Sequence, residues 1–288
     1  MGAVRRELAR IGRRPRKRLC QHFLADARIA ERIVALAQLH GEERVVEIGP
    51  GLGALSKQLA AQARELWLIE VDAELARRLT AEYGGQAHVH VVTADVLTID
   101  FAELLGSGEP AVVVANLPYN IATAVLAALL AQPQRFRRMV LMLQREVVER
   151  LRAAPGSKQY GVLSVLTQYA ARLQTAMRVG PEAFVPRPRV ESEVIVVEPR
   201  AQPAVAVRDP ALFRRVVRTV FTQRRKQLVN SLRPLCRDAA HVLRRVQIDP
   251  TRRPETLTLE EFAALSDALY TQTTDAATTD HRLEPDDS

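Results

Sequence analysis

Val45-Val46-Glu47-Ile48-Gly49-Pro50-Gly51-Leu52-Gly53 begins as a β-branched run and ends as a glycine-rich turn, with a helical pattern over residues 54–63 behind it. Strand, glycine turn and helix in that order are the opening of a parallel crossover unit. Glycines let the backbone turn tightly and approach a ligand closely, at the carboxyl end of the strand where open α/β sheets bind ligands. The spacing is G-x-G-x-G, which is not the G-x-G-x-x-G of dinucleotide sites. Pro50 also deletes one amide that a pyrophosphate could have used. Glu47, just before the loop, is equally unhelpful to phosphate and suits a ligand that carries cationic groups.

Outward from this loop, β-rich runs over 66–71, 88–92, 111–115 and 139–143 alternate with helical stretches over 73–82, 123–131 and 145–153. An amphipathic helix over 28–38 comes before them. Continuous apolar strands separated by helices predict a parallel sheet covered on both faces. A helix over 162–171 then precedes two strands, 173–179 and 193–198, with no helix between them, so they are expected to pair as an antiparallel edge hairpin. Pro199, Pro203 and Pro210 punctuate a linker. Beyond it, 211–231, 238–246 and 259–270 read as helices, the last with Thr258 as N-cap. The expected organisation is a basic N-terminal segment (1–27), an α/β domain (28–200), a small all-α domain (205–270) and a disordered tail (271–288), which has almost nothing to bury.

Two strand-end acids lie in register with the glycine loop. Glu70 ends the second strand, 21 residues after Gly49, where a carboxylate can accept from both hydroxyls of a ribose. Asp95 follows the third strand and can accept from an adenine amino group. With the cation-friendly Glu47, these acids predict a nucleoside cofactor of the S-adenosylmethionine type, held by Glu47, Gly49, Gly51, Gly53, Glu70 and Asp95. After the fourth strand comes Asn116-Leu117-Pro118-Tyr119. An exocyclic adenine amine is a poor nucleophile because its lone pair is delocalised into the ring. The Asn116 carbonyl and a main-chain carbonyl such as that of Leu117 can accept its two N–H bonds and hold the nitrogen closer to tetrahedral. Pro118 stiffens the turn and brings no competing N–H, and Tyr119 offers a face for a flipped base.

The chain has 288 residues, 47% hydrophobic, with a net charge of +8, which favours a polyanionic partner. The charge is uneven. Residues 1–18 carry eight Arg or Lys against Glu7 alone, and residues 208–253 carry thirteen against three Asp. Two basic blocks around a nearly neutral middle suit a catalytic unit with phosphate-gripping margins, though a solvated arginine face is the plain alternative. Arg16, Lys17 and Arg18, and Arg224, Arg225 and Lys226 on the predicted 211–231 helix, are the candidate nucleic-acid phosphate contacts. Cys20 and Cys236 are far apart and in no ligand spacing, which excludes a disulfide framework and points to a reduced, cytoplasmic setting. The basic start is not followed by an apolar signal region, and the longest apolar run, residues 124–131, is too short to span a bilayer. No metal is expected, since His22 has no second ligand at a suitable spacing.

Jointly, Arg16-Lys17-Arg18 with Gln21-His22-Phe23-Leu24, the Glu47–Gly53 loop, Asn116–Ile121, Phe184-Val185-Pro186-Arg187-Pro188, Gln223–Lys226 and Asn230-Ser231-Leu232 closely resemble the ribosomal RNA adenine N6-dimethyltransferases, in their bacterial small-subunit branch. The resemblance spans nearly the whole chain. It implies a class I, Rossmann-like methyltransferase fold with a seven-stranded, mainly parallel sheet, and S-adenosylmethionine as cofactor. It further implies that His22, Leu24 and Asn116 join the donor site and that Tyr119 and Phe184 sandwich the target base. His22 stands where Asn is frequent in the family, and Leu19-Cys20 replaces the more usual Phe-Gly. The implied reaction is dimethylation of two adjacent adenosines in the hairpin near the 3′ end of small-subunit RNA, within a pre-30S particle, by a monomer with a role in subunit biogenesis. Alternatives are a large-subunit enzyme of the macrolide-resistance type, a DNA adenine methyltransferase (which usually has Asp in place of Asn116), or an assembly factor that has lost catalysis.

Overall fold

The structure is a computed structural model that describes residues 2–12, 15–16 and 21–280. It divides into two compact units: the chain up to Val148 together with Ala171–Ala201, and Glu149–Ala170 together with the chain from Gln202 onward. The segment 149–170, expected within the α/β domain, thus groups with the second unit.

The first unit contains strands β1 (Phe23–Leu24), β2 (Arg44–Ile48), β3 (Glu65–Glu70), β4 (Val89–Thr93), β5 (Ala111–Asn116), β6 (Phe136–Gln144), β7 (Ala171–Val179), β8 (Phe184–Val185) and β9 (Ser192–Pro199). Its helices are α1 (Gly2–Arg10), α2 (Ala27–Leu36), α3 (Ser56–Ala60), α4 (Ala73–Tyr83), α5 (Phe101–Leu105) and α6 (Ala122–Ala131), and α7 (Arg145–Arg152) begins there. Seven strands form one sheet in the order β4-β3-β2-β5-β6-β9-β7. The five from β4 to β6 run parallel, while β9 lies antiparallel to both β6 and β7. The expected β7–β9 pairing is present, with β9 inserted beside β6 and β7 at the edge. Every residue of β2 is buried, as a strand covered on both faces requires. Even Arg44 is buried, because its guanidinium donates to the carbonyls of Leu105 and Glu109.

A two-stranded sheet was not legible in the sequence. Phe23 pairs with Val185 and Leu24 with Phe184, and Ala25 N–H donates to Ala183 O at 2.8 Å. Two-residue strands carry no periodicity; only the meeting of distant segments creates them.

In the second unit, α8 (Val162–Ala170), α9 (Pro210–Thr222), α10 (Leu228–Ser231), α11 (Ala239–Arg245) and α12 (Leu259–Asp280) surround their own core. Phe213, Val216, Val217 and Val220 recur at helical spacing and bury one face of α9, with Phe213 stacked on Tyr169 at 4.5 Å. The single helix expected over 211–231 is broken: α9 ends at Thr222, and Arg224, Arg225 and Lys226 lie in a turn before α10. The cause is tertiary. Leu228 N–H donates to Arg252 O and Val229 N–H to Pro250 O, so the start of α10 is tied to another loop and not to the preceding helical turn. The α12 helix continues through residue 280, past the expected boundary at residue 270, because extending an established helix costs far less than nucleating one; residues 281–288 of the expected disordered tail lie outside the described residues.

Thr258 caps α12 as expected: its Oγ1 accepts from Glu261 N–H at 3.2 Å while Glu261 Oε2 accepts from Thr258 N–H at 2.8 Å, a reciprocal box. In urea unfolding, Thr258→Ala should cost about 1 kcal/mol. Phe213→Ala, which empties the centre of this core, should cost about 3–5 kcal/mol.

Candidate active site

From β2 the chain builds outward through β3 and β4 on one side, then returns to place β5 and β6 on the other. That reversal opens a crevice beyond the carboxyl ends of β2 and β5, where nothing fills the space between diverging connections. A cavity of about 300 Å³ lies there. It is lined by the glycine loop over 49–52, by Glu47, Glu70 and Asp95, by Asn116 through Tyr119, and by His22 and Leu24. Segments spread over a hundred residues of sequence thus converge on one cavity. Gly53 and Phe184 do not line it.

The loop needs its glycines. Gly49 and Gly51 have φ of +67° and +59°, in the region L side chains avoid. A Cβ on Gly51 would also stand 3.1 Å from the Phe23 ring. Gly53 completes the turn, its N–H donating to Pro50 O at 2.9 Å. The loop is tied across to β3, where Glu70 Oε2 accepts from Gly51 N–H at 3.0 Å and Oε1 from Asp72 N–H at 2.9 Å. Burial pushes the Glu70 carboxyl above its usual range against the pull of these amides. Asp95 caps the short 3₁₀ turn over 96–98, accepting from Leu97 N–H at 3.0 Å, and stays exposed.

Glu47 is the least expected of these acids in its setting. Only 2% of its surface is exposed, and its Oε2 has no hydrogen-bond partner among the described residues. The Tyr83 hydroxyl is likewise buried without a hydrogen-bond partner among the described residues. Burial pushes the Glu47 carboxyl up to about 8, with Ser56 opposing the rise and the Glu70 carboxylate adding to it. An acid this dry asks for a positive partner.

The tetrad begins at the end of β5. Asn116 Nδ2 donates to His22 O at 3.3 Å, which leaves its Oδ1 as the acceptor. Tyr119 Oη bonds Ser192 Oγ at 2.8 Å, and burial raises the phenol. The His22 ring stacks on Tyr119 with centroids 5.5 Å apart, its Nδ1 bonded to Pro186 O at 2.8 Å. Phe184 is 1% exposed, its ring in the hydrophobic core. Ser192 and the His22–Tyr119 stack escaped sequence reasoning. The one available signal was a serine just before the apolar run over 194–197.

The basic residues divide. Arg16 pairs with the buried Asp72 at 3.3 Å and with Glu74 at 3.6 Å, and Lys17 and Arg18 lie outside the described residues. Arg224 donates to Lys158 O at 2.5 Å, whereas Arg225 and Lys226 are exposed.

The family model of the ribosomal RNA adenine dimethylases matches residues 12–270. The chain belongs to this family. This dimethylase is 46% identical over 265 residues to a ribosomal RNA small subunit methyltransferase A of Geobacter sulfurreducens, covering 90% of this chain and 96% of that one. It is 41% identical over 257 residues to the protein of that name from Clostridium botulinum strain Langeland, covering 88% and 94%. Among solved structures, a dimethyladenosine transferase from Plasmodium falciparum shares the fold with a TM-score of 0.71 at 21% identity, covering 85% of this chain and 96% of that one. The 23S rRNA methyltransferase ErmE matches with a TM-score of 0.62 at 26% identity, covering 86% and 99%. The dimethylase is an enzyme that uses S-adenosylmethionine, and the cavity suits that donor: carboxylates for hydroxyls and amines, and a glycine loop open to close approach.

The raised Glu47 sets a sign. The folded protein holds a proton that an unfolded carboxyl of ordinary value 4.5 has released, so this group's stabilisation is lost as pH rises from about 4.5 through about 8. Glu47→Gln should flatten that part of the melting-temperature profile. Donor binding at pH 7 should release up to about 0.9 proton in wild type and none through this group in Glu47→Gln, read by calorimetry in buffers of different ionisation enthalpy.

Proposed function

We propose that this dimethylase converts two adjacent adenosines in the 3′-terminal hairpin of small-subunit ribosomal RNA to N6,N6-dimethyladenosine, acting as a monomer on pre-30S particles in the cytoplasm, where small subunits assemble. The observation that carries the reading is Asn116 at the cavity rim. Its amide nitrogen is held by the His22 carbonyl and its oxygen faces the role of acceptor, beside the Tyr119 ring. Names of the curated relatives support the small-subunit choice.

When bound, S-adenosylmethionine supplies an electrophilic methyl on a sulfonium. The chain's residues do the rest by positioning, which supplies roughly 7–11 kcal/mol in favourable cases. Glu70 accepts from the ribose hydroxyls, Asp95 from the adenine amine of the donor, and Glu47 faces its cationic part. Asn116 Oδ1 and the Leu117 carbonyl take the two N–H bonds of the target amine and free its lone pair. Pro118 keeps that turn stiff. Tyr119, fixed through Ser192, carries the base, with His22 in place on its ring and Phe184 supporting from the core. No strong general base is required, because the proton leaves after the nitrogen has become cationic. RNA docking falls to the helical unit, where Arg225 and Lys226 are exposed, with Arg224, Lys17 and Arg18 adding charge. Arg16, which pairs with Asp72, is read with them as a phosphate contact.

The test is methyl transfer from labelled donor to small subunits that lack the modification, with large subunits and DNA in parallel and nucleosides identified by mass spectrometry. Dimethyladenosine in small-subunit RNA alone is the expected result; label in large subunits or none anywhere overturns it. Glu70→Ala should abolish donor binding and spare RNA binding. Asn116→Ala should leave donor affinity within a few-fold yet stop turnover. Arg225→Ala should lower the salt slope of RNA binding by about 0.9 or less.

A further inference from the structure

The α1 helix precedes the segment that matches the family, which begins at residue 12. It is not idle surface. Leu8 is 6% exposed and packs with Phe23 and Leu75, flanked by Val4, Ile11 and Leu52. Of these, Phe23, Leu52 and Leu75 also line the donor cavity. The helix therefore backs one wall of the cavity from outside.

Its polar side does related work. Glu7 Oε1 accepts from Arg78 Nε at 2.8 Å, and both carboxylate oxygens accept from Arg10. Arg78, on α4, donates through Nη1 to the carbonyl of Leu52 at 3.3 Å and pairs through Nη2 with Glu82 at 3.1 Å. One guanidinium thus joins α1, α4 and the glycine loop. That loop has positive φ at three glycines and few side chains of its own to hold it. A free arginine would lose rotamer freedom to restrain Leu52; Glu7 fixes it in advance. The Arg10 and Arg78 guanidiniums hold the Glu7 carboxyl down at about 2, so the tie is ionised throughout the neutral range.

We propose that α1 is a clasp on the methyl-donor site, in which Glu7 and Arg78 are positioning residues that hold the Leu52 carbonyl and so set how long the donor stays bound. The proposal rests on the reading of this cavity as the donor site. Neither Glu7 nor Arg78 lines the cavity, so their loss acts on the donor's residence and not on the reaction. Leu8 supplies the apolar half of the same clasp.

The test uses the full chain and its Glu7→Gln, Arg78→Gln and Leu8→Ala variants, with Glu70→Ala as reference. Donor off-rate, donor KM, RNA KM and kcat at saturating donor are measured, and a melting curve confirms each fold. Glu7→Gln and Leu8→Ala should each raise donor off-rate and donor KM about fivefold, with kcat and RNA KM unchanged. Adding Glu7→Gln to Arg78→Gln should bring little further change, as expected of one coupled unit. Donor off-rates within about twofold of wild type in all three folded variants would overturn the clasp while Glu70→Ala still abolishes donor binding. Donor binding untouched by Glu70→Ala would overturn the donor site itself, and the clasp with it.

Discussion

The bond from Gly51 N–H to the Glu70 carboxylate is the tie on which the site depends. It joins the turn after β2 to the end of β3, in a place where each side alone would be unstable. The turn has left-handed glycines that gain nothing from staying ordered, and Glu70 is an acid taken out of water. Each satisfies the other. Its second oxygen holds Asp72 N–H, and Asp72 caps α4, so strand end, loop and helix are set by one side chain.

Around this tie the sheet topology does the gathering. The reversal of strand order between β2 and β5 leaves a crevice that the parallel strands cannot fill from within. Glu47 at its base stays dry and raised, and Asn116 at its rim is turned by the His22 carbonyl. The segment carrying His22 is held by β1, which has no partner in the main sheet and pairs instead with β8. A chain segment remote from the core strands thereby becomes one wall of the cavity. The same economy appears in the basic N-terminal region, where Arg10 and Arg16 serve internal ion pairs.

Much of the first unit was legible because local chemistry and tertiary need agree. β5 was read to within one residue, because a continuous β-branched run between helical stretches fits a buried parallel strand. The glycine loop, Glu70, Asp95 and Asn116 were legible because each sits at a strand end, where period and chemistry change together. The break before α10 was not, since no glycine or proline marks it and the hydrogen bonds that cause it come from the loop over 249–252.

By itself the sequence determined the order of strands and helices, the ligand-binding end of the sheet and the chemistry of the residues gathered there. These follow from side-chain period, glycine conformation and the charge each group carries. Only the tertiary structure decided that Phe184 faces the core while His22 covers Tyr119, that Ser192 fixes that tyrosine, that Arg16 pairs with Asp72, and that Arg78 donates to the Leu52 carbonyl. Each is a choice between partners far apart in the chain, settled by burial and by which polar group is left without water, and no local pattern encodes that.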